Sequence, residues 1–99
     1  MVEIKWTNHA ILDLKDIFDY IAKDSKKYAY HQTQKIREKT NLLKKTPRIG
    51  KNVPELKRDD IRELIEGNYR IIYKIKNIER IDIVSVFHSA RLLRIDNRI

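Results

Sequence analysis

Apolar and charged residues alternate from Val2 to Trp6, which is the two-residue period of a half-buried strand. Thr7 and Asn8 follow, and both residue types commonly cap the N-terminus of a helix. From Ala10 to Ala22 apolar residues recur at helical spacing, while aspartate and lysine residues occupy the other face. The pattern predicts a short N-terminal strand followed by the clearest amphipathic helix of the chain.

A second helix is predicted from about Lys26 to Lys45, after the capping residues Asp24 and Ser25 and before Pro47 and Gly50. The apolar face of this helix is thin and consists of Ala29, Ile36 and Leu43. Such a helix is held mainly by its neighbour, so the two helices are expected to form a hairpin. The lysines and arginines along the second helix are interpreted as a solvated face.

Both prolines fall between Thr46 and Asp60, so this stretch is predicted to be a loop. The remainder is rich in β-branched and aromatic residues and breaks at Gly67-Asn68 and at Asn77. The predicted strands are Ile61 to Glu66, Tyr69 to Lys76 and Arg80 to His88. The order strand, helix, helix, three strands indicates an α+β fold, with the helical hairpin packed on a small twisted antiparallel sheet. Residues 1–99 are expected to form a single domain.

Composition adds a strong positive charge to this picture. The 99 residues include 22 Lys and Arg against 14 Asp and Glu, a formal net charge of +8. An excess of this size is typical of proteins with a polyanionic partner, either a nucleic acid or an acidic protein. A charge that serves only solubility is the alternative.

Several kinds of chemistry are excluded. The chain has no cysteine, which rules out disulfides and Cys-based metal sites and suits a cytoplasmic protein. No signal segment and no run long enough to span a membrane is apparent. The three histidines, His9, His31 and His88, lack metal-ligand spacing. No metal and no small-molecule cofactor is therefore expected.

Strand alternation places Arg70 and Lys74 on one face of the second meander strand and Tyr69 and Tyr73 on the other. The tyrosine face is expected to be core, and the arginine face to be open and basic. With Ile81 opposite Ile75, Val86 lies opposite Arg70, and His88 stands near it at the end of its strand. Asp82 is expected to lie across from Lys74 and to neutralise part of its charge.

Whether Arg62 joins this surface depends on the Gly67-Asn68 turn. An odd-numbered loop or a bulge brings Arg62 onto the open face, whereas a plain two-residue loop puts it on the opposite side. The candidate site comprises Arg62, Arg70 and His88, with Arg91 just beyond. Guanidinium groups can hold phosphates, and a histidine can move a proton near neutral pH. A lone histidine at a strand end can equally be a hydrogen-bonded bystander.

The order of several short motifs resembles the RelE/ParE toxin superfamily. In the second half of the chain these motifs are Pro47-Arg48-Ile49-Gly50, Val53-Pro54-Glu55-Leu56, Ile61-Arg62-Glu63-Leu64, Tyr69-Arg70-Ile71-Ile72-Tyr73 and Val86-Phe87-His88-Ser89-Ala90-Arg91. In the first helix they are Ala10, Asp13-Leu14, Ile17 and Tyr20-Ile21, preceded by Trp6. The resemblance covers nearly the whole chain.

This resemblance implies the toxin half of a type II toxin–antitoxin, or plasmid-stabilisation, module with a cognate antitoxin as partner. ParE-like members poison DNA gyrase. RelE-like members are enzymes that cut messenger RNA in the ribosomal A site with Lys, Arg, Tyr or His on the open sheet face. Whether this chain is an enzyme depends on which branch it follows.

The Pro-Glu-Leu stretch before Ile61 and the His-Ser-Ala-Arg ending look more like ParE. Arg70 and His88 match positions that RelE-like nucleases also use, and the nuclease remains the alternative. Glu63 and Glu66 depart from the dense lysines of RelE and count against cleavage. A basic nucleic-acid-binding protein without toxicity would explain the charge but not the ordered motifs.

Overall fold

The computed structural model describes residues 1–90 of the 99-residue chain. The predicted order of elements is confirmed, with one short strand added between the helices and the meander. The elements are β1 (Glu3–Trp6), α1 (Asn8–Ala22), α2 (Lys26–Thr40), a 3-10 helix (Asn41–Lys44), β2 (Lys51–Asn52), β3 (Ile61–Glu66), β4 (Tyr69–Asn77) and β5 (Arg80–His88).

Both helices begin at the predicted caps. The Thr7 hydroxyl accepts a hydrogen bond of 3.2 Å from the Ala10 amide, and the Ser25 hydroxyl accepts one of 3.1 Å from the Tyr28 amide. The second α-helix ends at Thr40, earlier than predicted, and the chain continues as a single 3-10 segment. Tightening of the last turn in this way is common, because it gives the final carbonyl groups nearby donors.

The five strands form one sheet in the order β1-β5-β4-β3-β2. Strands β2, β3, β4 and β5 pair antiparallel with one another in sequence order, as expected for a meander. Strand β1 lies at the outer edge and pairs parallel with β5. A parallel pair needs a long crossover between its strands, and here the helical hairpin and the meander supply it.

The sheet is apolar on both faces. The helix-side face packs against α1 and α2, and its buried residues include Leu64, Ile71, Tyr73, Ile81, Ile83 and Val86. The loop-side face carries a second, smaller cluster made of Val53, Ile61, Ile72 and Phe87, with Leu56 packed against it. The loop between β2 and β3 therefore covers the face that the sequence predicted to be open and basic, and that prediction is wrong.

A β-bulge in β5 decides which residues reach which face. Ile72 pairs with Ser85 and Tyr73 pairs with Ile83, so that Val84 between them has no partner in the ladder. An extra residue of this kind shifts the alternation of every side chain beyond it. As a result Val86 joins the helix-side core and Phe87 the loop-side cluster.

Candidate functional site

Arg70 lies on the loop-side face, opposite Phe87 in β5. Its Nε donates a hydrogen bond of 2.5 Å to the Glu63 carboxylate. Its two terminal nitrogens donate bonds of 2.9 and 3.1 Å to the two oxygens of Glu55. The guanidinium carbon also sits 5.3 Å from the centroid of the Phe87 ring. The side chain is only 11% exposed, which leaves little of it for an outside ligand.

The electrostatics of this cluster favour its charged form. The hydrogen bond to Glu55 is the main cause that raises the pKa of Arg70 above its ordinary value. The same contact holds the pKa of Glu55 below its ordinary value. Glu63, whose side chain is 4% exposed, has its charge compensated by the same arginine. Arg70 therefore ties the loop to the sheet and is not free to bind phosphate.

The Gly67-Asn68 turn is a plain two-residue loop, because Glu66 pairs directly with Tyr69. Arg62 consequently pairs with Tyr73 and projects from the helix-side face, away from Arg70. It donates a hydrogen bond of 2.8 Å to the carbonyl of Gly50, just before β2, and another of 2.8 Å to the carboxylate of Asp59, near the end of the loop between β2 and β3. The expected grouping of Arg62 with Arg70 is wrong.

Tyr73, which the sequence placed only in the core, anchors the segment that precedes β2. Its hydroxyl donates a hydrogen bond of 2.8 Å to the Pro47 carbonyl and accepts one of 2.9 Å from the Gly50 amide. Desolvation of this buried phenol raises its pKa. In the loop between β2 and β3, the apolar residues Val53 and Leu56 are the sequence signal that could have shown that this loop packs against the sheet.

His88 lies on the helix-side face, opposite Tyr69, because of the bulge. The two rings meet edge to face, with centroids 5.6 Å apart and planes at 81°. The expected neighbourhood of His88 and Arg70 is therefore wrong, since they project from opposite faces of the sheet. The imidazole Nδ1 accepts a hydrogen bond of 3.2 Å from the Ala90 amide. Arg91, the fourth candidate residue, lies outside the described residues.

His88 lines a cleft of about 460 Å³ between α1 and the ends of β4 and β5. The lining residues of this tyrosine cleft are Asp13, Asp16, Ile17, Tyr20, Tyr69, Val86, Phe87 and His88. Burial raises the pKa of the Tyr69 phenol. The cleft thus combines an apolar floor with phenols, one imidazole and two carboxylates, which suits binding of a protein segment better than binding of phosphate.

Asp13 connects the tyrosine cleft to the bulge. One of its carboxylate oxygens accepts a hydrogen bond of 2.9 Å from the Ser85 hydroxyl and one of 3.0 Å from the Val86 amide. These bonds attach α1 to β5 just after the unpaired Val84. The contact spans more than seventy positions of sequence, so no local pattern could have predicted it.

The cationic surface of the protein lies on the second helix and the 3-10 segment after it. Residues 26–45 carry seven cationic side chains against one acidic, a net +6 of the total +8. The cations are Lys26, Lys27, Lys35, Arg37, Lys39, Lys44 and Lys45. Within residues 1–90 no salt bridge joins any of them to an acidic side chain. This segment therefore offers a dense group of cations without salt bridges to a partner.

Residues 1–90 contain no group of three or more His, Asp or Glu side chains arranged to hold a metal ion. None of their helices has the length and apolar character needed to cross a membrane.

The fold consists of an edge strand, a helical hairpin and a mixed five-stranded sheet covered by a loop, and a family model places it among the toxins of the RelE/ParE superfamily. The family model described as "ParE toxin of type II toxin-antitoxin system, parDE" matches residues 4–93. The chain belongs to this family and is the toxin component of a type II toxin–antitoxin system, with a cognate antitoxin as partner.

A solved structure has the same fold. It is described as "Chromosomal ParDE TA system from P. aeruginosa", and it matches with a TM-score of 0.72 at 24% sequence identity. The match covers 89% of this chain and 96% of that chain. A search of curated protein sequences finds no match.

Proposed function

We propose that this toxin arrests growth by poisoning DNA gyrase in the cytoplasm, and so stabilises the replicon that carries its genes. The observation that supports this choice over RNA cleavage is the separation of Arg70 from His88. The arginine is enclosed on the loop-side face, and the histidine stands in the tyrosine cleft on the helix-side face.

Cleavage of RNA by a fold of this size requires several groups at one place. A ribose hydroxyl must be activated, the charge on phosphorus must be stabilised, and a leaving oxygen must be protonated. In the described part of the chain, the Arg70 guanidinium is already bonded to two carboxylates. The acidic side chains that line the cleft together with His88 are Asp13 and Asp16, and their negative charge would repel a phosphate.

Inhibition of gyrase requires a surface of defined shape and charge, and no acid–base set. The tyrosine cleft and the basic second helix are two such surfaces. In this proposal Arg62 and Arg70 are positioning residues that hold the loop. His88 and Arg91 remain candidates for direct contact with the target.

Expression of the toxin in growing cells tests the proposal through two readouts. Gyrase poisoning is expected to accumulate cleaved DNA–gyrase complexes and to induce the DNA-damage response, and codon-dependent cuts in translated messages are expected to be absent. The His88→Ala variant is expected to keep its fold, because His88 is exposed.

The opposite pattern would establish the nuclease alternative. The proposal would be overturned if the toxin cut messages without DNA damage and the His88→Ala variant lost this cleavage. An exposed control such as Tyr30→Ala would have to retain it. Absence of both readouts together with intact growth would indicate a chain without toxicity.

A further inference from the structure

Strand β1 is paired with another strand on one side only, because it is one of the two outer strands of the sheet. The amides of Glu3 and Thr7 donate to carbonyl groups on the β5 side, at 2.8 and 3.1 Å. Successive amides of a strand point in opposite directions, so those of Ile4 and Trp6 point away from the sheet. The Val2 amide has the same outward direction and donates 3.2 Å to the Lys44 carbonyl.

A groove of about 350 Å³ runs beside this outer edge, between β1 and the end of α2. Its lining residues are Ile4, Trp6, Gln34, Arg37, Glu38, Thr40, Asn41 and Lys44. The Arg37 guanidinium stands 5.7 Å from the centroid of the Trp6 ring. The two residues whose amides point outward are therefore also residues of the groove wall.

The groove is positively charged. Arg37 and Lys44 line it against a single carboxylate, Glu38, and they belong to the segment that carries a net +6. Charge complementarity therefore favours an acidic occupant. Backbone donors that point into a groove favour an occupant in extended conformation, because such a segment can continue the ladder of the sheet.

We propose that an extended, acidic segment of the cognate antitoxin adds to the outer edge of β1 as a further strand. Its backbone carbonyls accept hydrogen bonds from Ile4 and Trp6, and its carboxylates meet Arg37 and Lys44. The inference goes beyond the proposed function: it rests on the toxin–antitoxin assignment and is independent of whether gyrase is the target.

Amide hydrogen exchange, followed by NMR on the free toxin and on the purified toxin–antitoxin complex, tests the backbone part. Exchange at Ile4 and Trp6 is expected to slow at least tenfold in the complex. The Glu3, Lys5 and Thr7 amides face β5 and serve as internal controls, with much smaller changes. Unchanged exchange at Ile4 and Trp6 in a stable complex would overturn the inference and leave the toxin–antitoxin assignment intact. If no complex forms, that assignment fails, and the inference fails with it.

Matched charge variants test the side-chain part. Arg37→Glu with Lys44→Glu is expected to weaken antitoxin binding at least tenfold. The control pair, Lys27→Glu with Lys35→Glu, changes the net charge equally outside the groove and is expected to cost less than threefold. If the reversed groove pair unfolds, Arg37→Gln with Lys44→Gln replaces it, and the same ranking is expected.

Equal losses for the two pairs would mean that the helix attracts its partner through diffuse charge, and would overturn the proposed strand addition. A duplex DNA fragment is the probe for the other polyanionic partner. The inference is wrong if the DNA binds the basic helix with a steep salt dependence while the antitoxin still binds both pairs of charge-reversal variants. In that case the cations of the helix bind nucleic acid.

Discussion

The Glu55 carboxylate accepts two hydrogen bonds from the Arg70 guanidinium, of 2.9 and 3.1 Å, and so links the loop to strand β4. This two-point contact fixes the loop over the cluster formed by Val53, Ile72 and Phe87. Paired guanidinium–carboxylate contacts of this kind combine energy with a defined geometry. The sheet is therefore closed on the side that a nuclease of this superfamily would keep open.

Replacing Arg70 by alanine is expected to lower the free energy of unfolding by about 2–4 kcal/mol, because it leaves the buried Glu63 charge poorly compensated. The Lys51 ammonium, 3.9 Å from that carboxylate, compensates only part of the loss. Urea denaturation measures the change. As a control, Arg58→Ala removes an exposed ion pair and is expected to cost about 0.5 kcal/mol or less. Equal losses for the two variants would contradict the assigned role of Arg70.

The Glu55→Gln variant is expected to show a pH-dependent loss of stability. The pKa of Glu55 lies below its ordinary value of 4.5, because Arg70 bonds its charged form. A lowered pKa contributes stability above pH 4.5, and this contribution disappears as the pH falls through the pKa of the folded state. Since Glu55 is partly exposed, the difference at pH 7 is expected to be about 0.5–1 kcal/mol.

Urea denaturation of wild type and Glu55→Gln between pH 7 and pH 3 measures this difference. The two unfolding curves are expected to converge toward the acid end. A difference that stays constant over the whole range would show that Glu55 acts through packing and not through its charge.

Gly50→Ala is expected to destabilise the protein by about 1–3 kcal/mol through overpacking. A Cβ at this position would lie 2.6 Å from both the Glu63 carbonyl oxygen and the Tyr73 hydroxyl. Thermal unfolding measures the effect. The control is Gly67→Asn, at a turn position with φ of 59° that asparagine tolerates. If Gly50→Ala leaves the stability unchanged, the segment around Gly50 has room to move away from Tyr73.

Asp13→Ala is expected to cost about 1–3 kcal/mol, because the buried Val86 amide loses its acceptor. Asp13→Asn keeps a neutral acceptor and is expected to lose less. NMR chemical shifts of His88 and Tyr69 are expected to change in the alanine variant, since Asp13 bonds β5 just before His88 and Tyr69 pairs with His88. The exposed Asp16→Ala is the control, expected within about 0.5 kcal/mol of wild type. Unaltered shifts together with unaltered stability would show that the bulge does not need Asp13.

Hydrophobic periodicity determined the two α-helices, the N-terminal strand and the three meander strands of this protein, but not the short strand β2. The caps at Thr7 and Ser25, the thin buried face of α2 and the three meander strands follow from patterns within a few residues of each other. Their order also determined the α+β class, because an amphipathic hairpin and a meander can bury their apolar faces only against one another. The ordered motifs determined the family.

The tertiary structure decided which candidate residues meet. One unpaired residue, Val84, reversed the alternation of β5 and moved His88 to the face opposite Arg70. The two-residue turn put Arg62 on the same face as His88. The loop between β2 and β3 packed through Val53 and Leu56 against the sheet face that was expected to be open. Alternation along a strand is a local property, whereas the bulge lies beside a contact with Asp13, which is more than seventy positions away in sequence. Charge becomes a binding surface only where folding leaves it uncompensated.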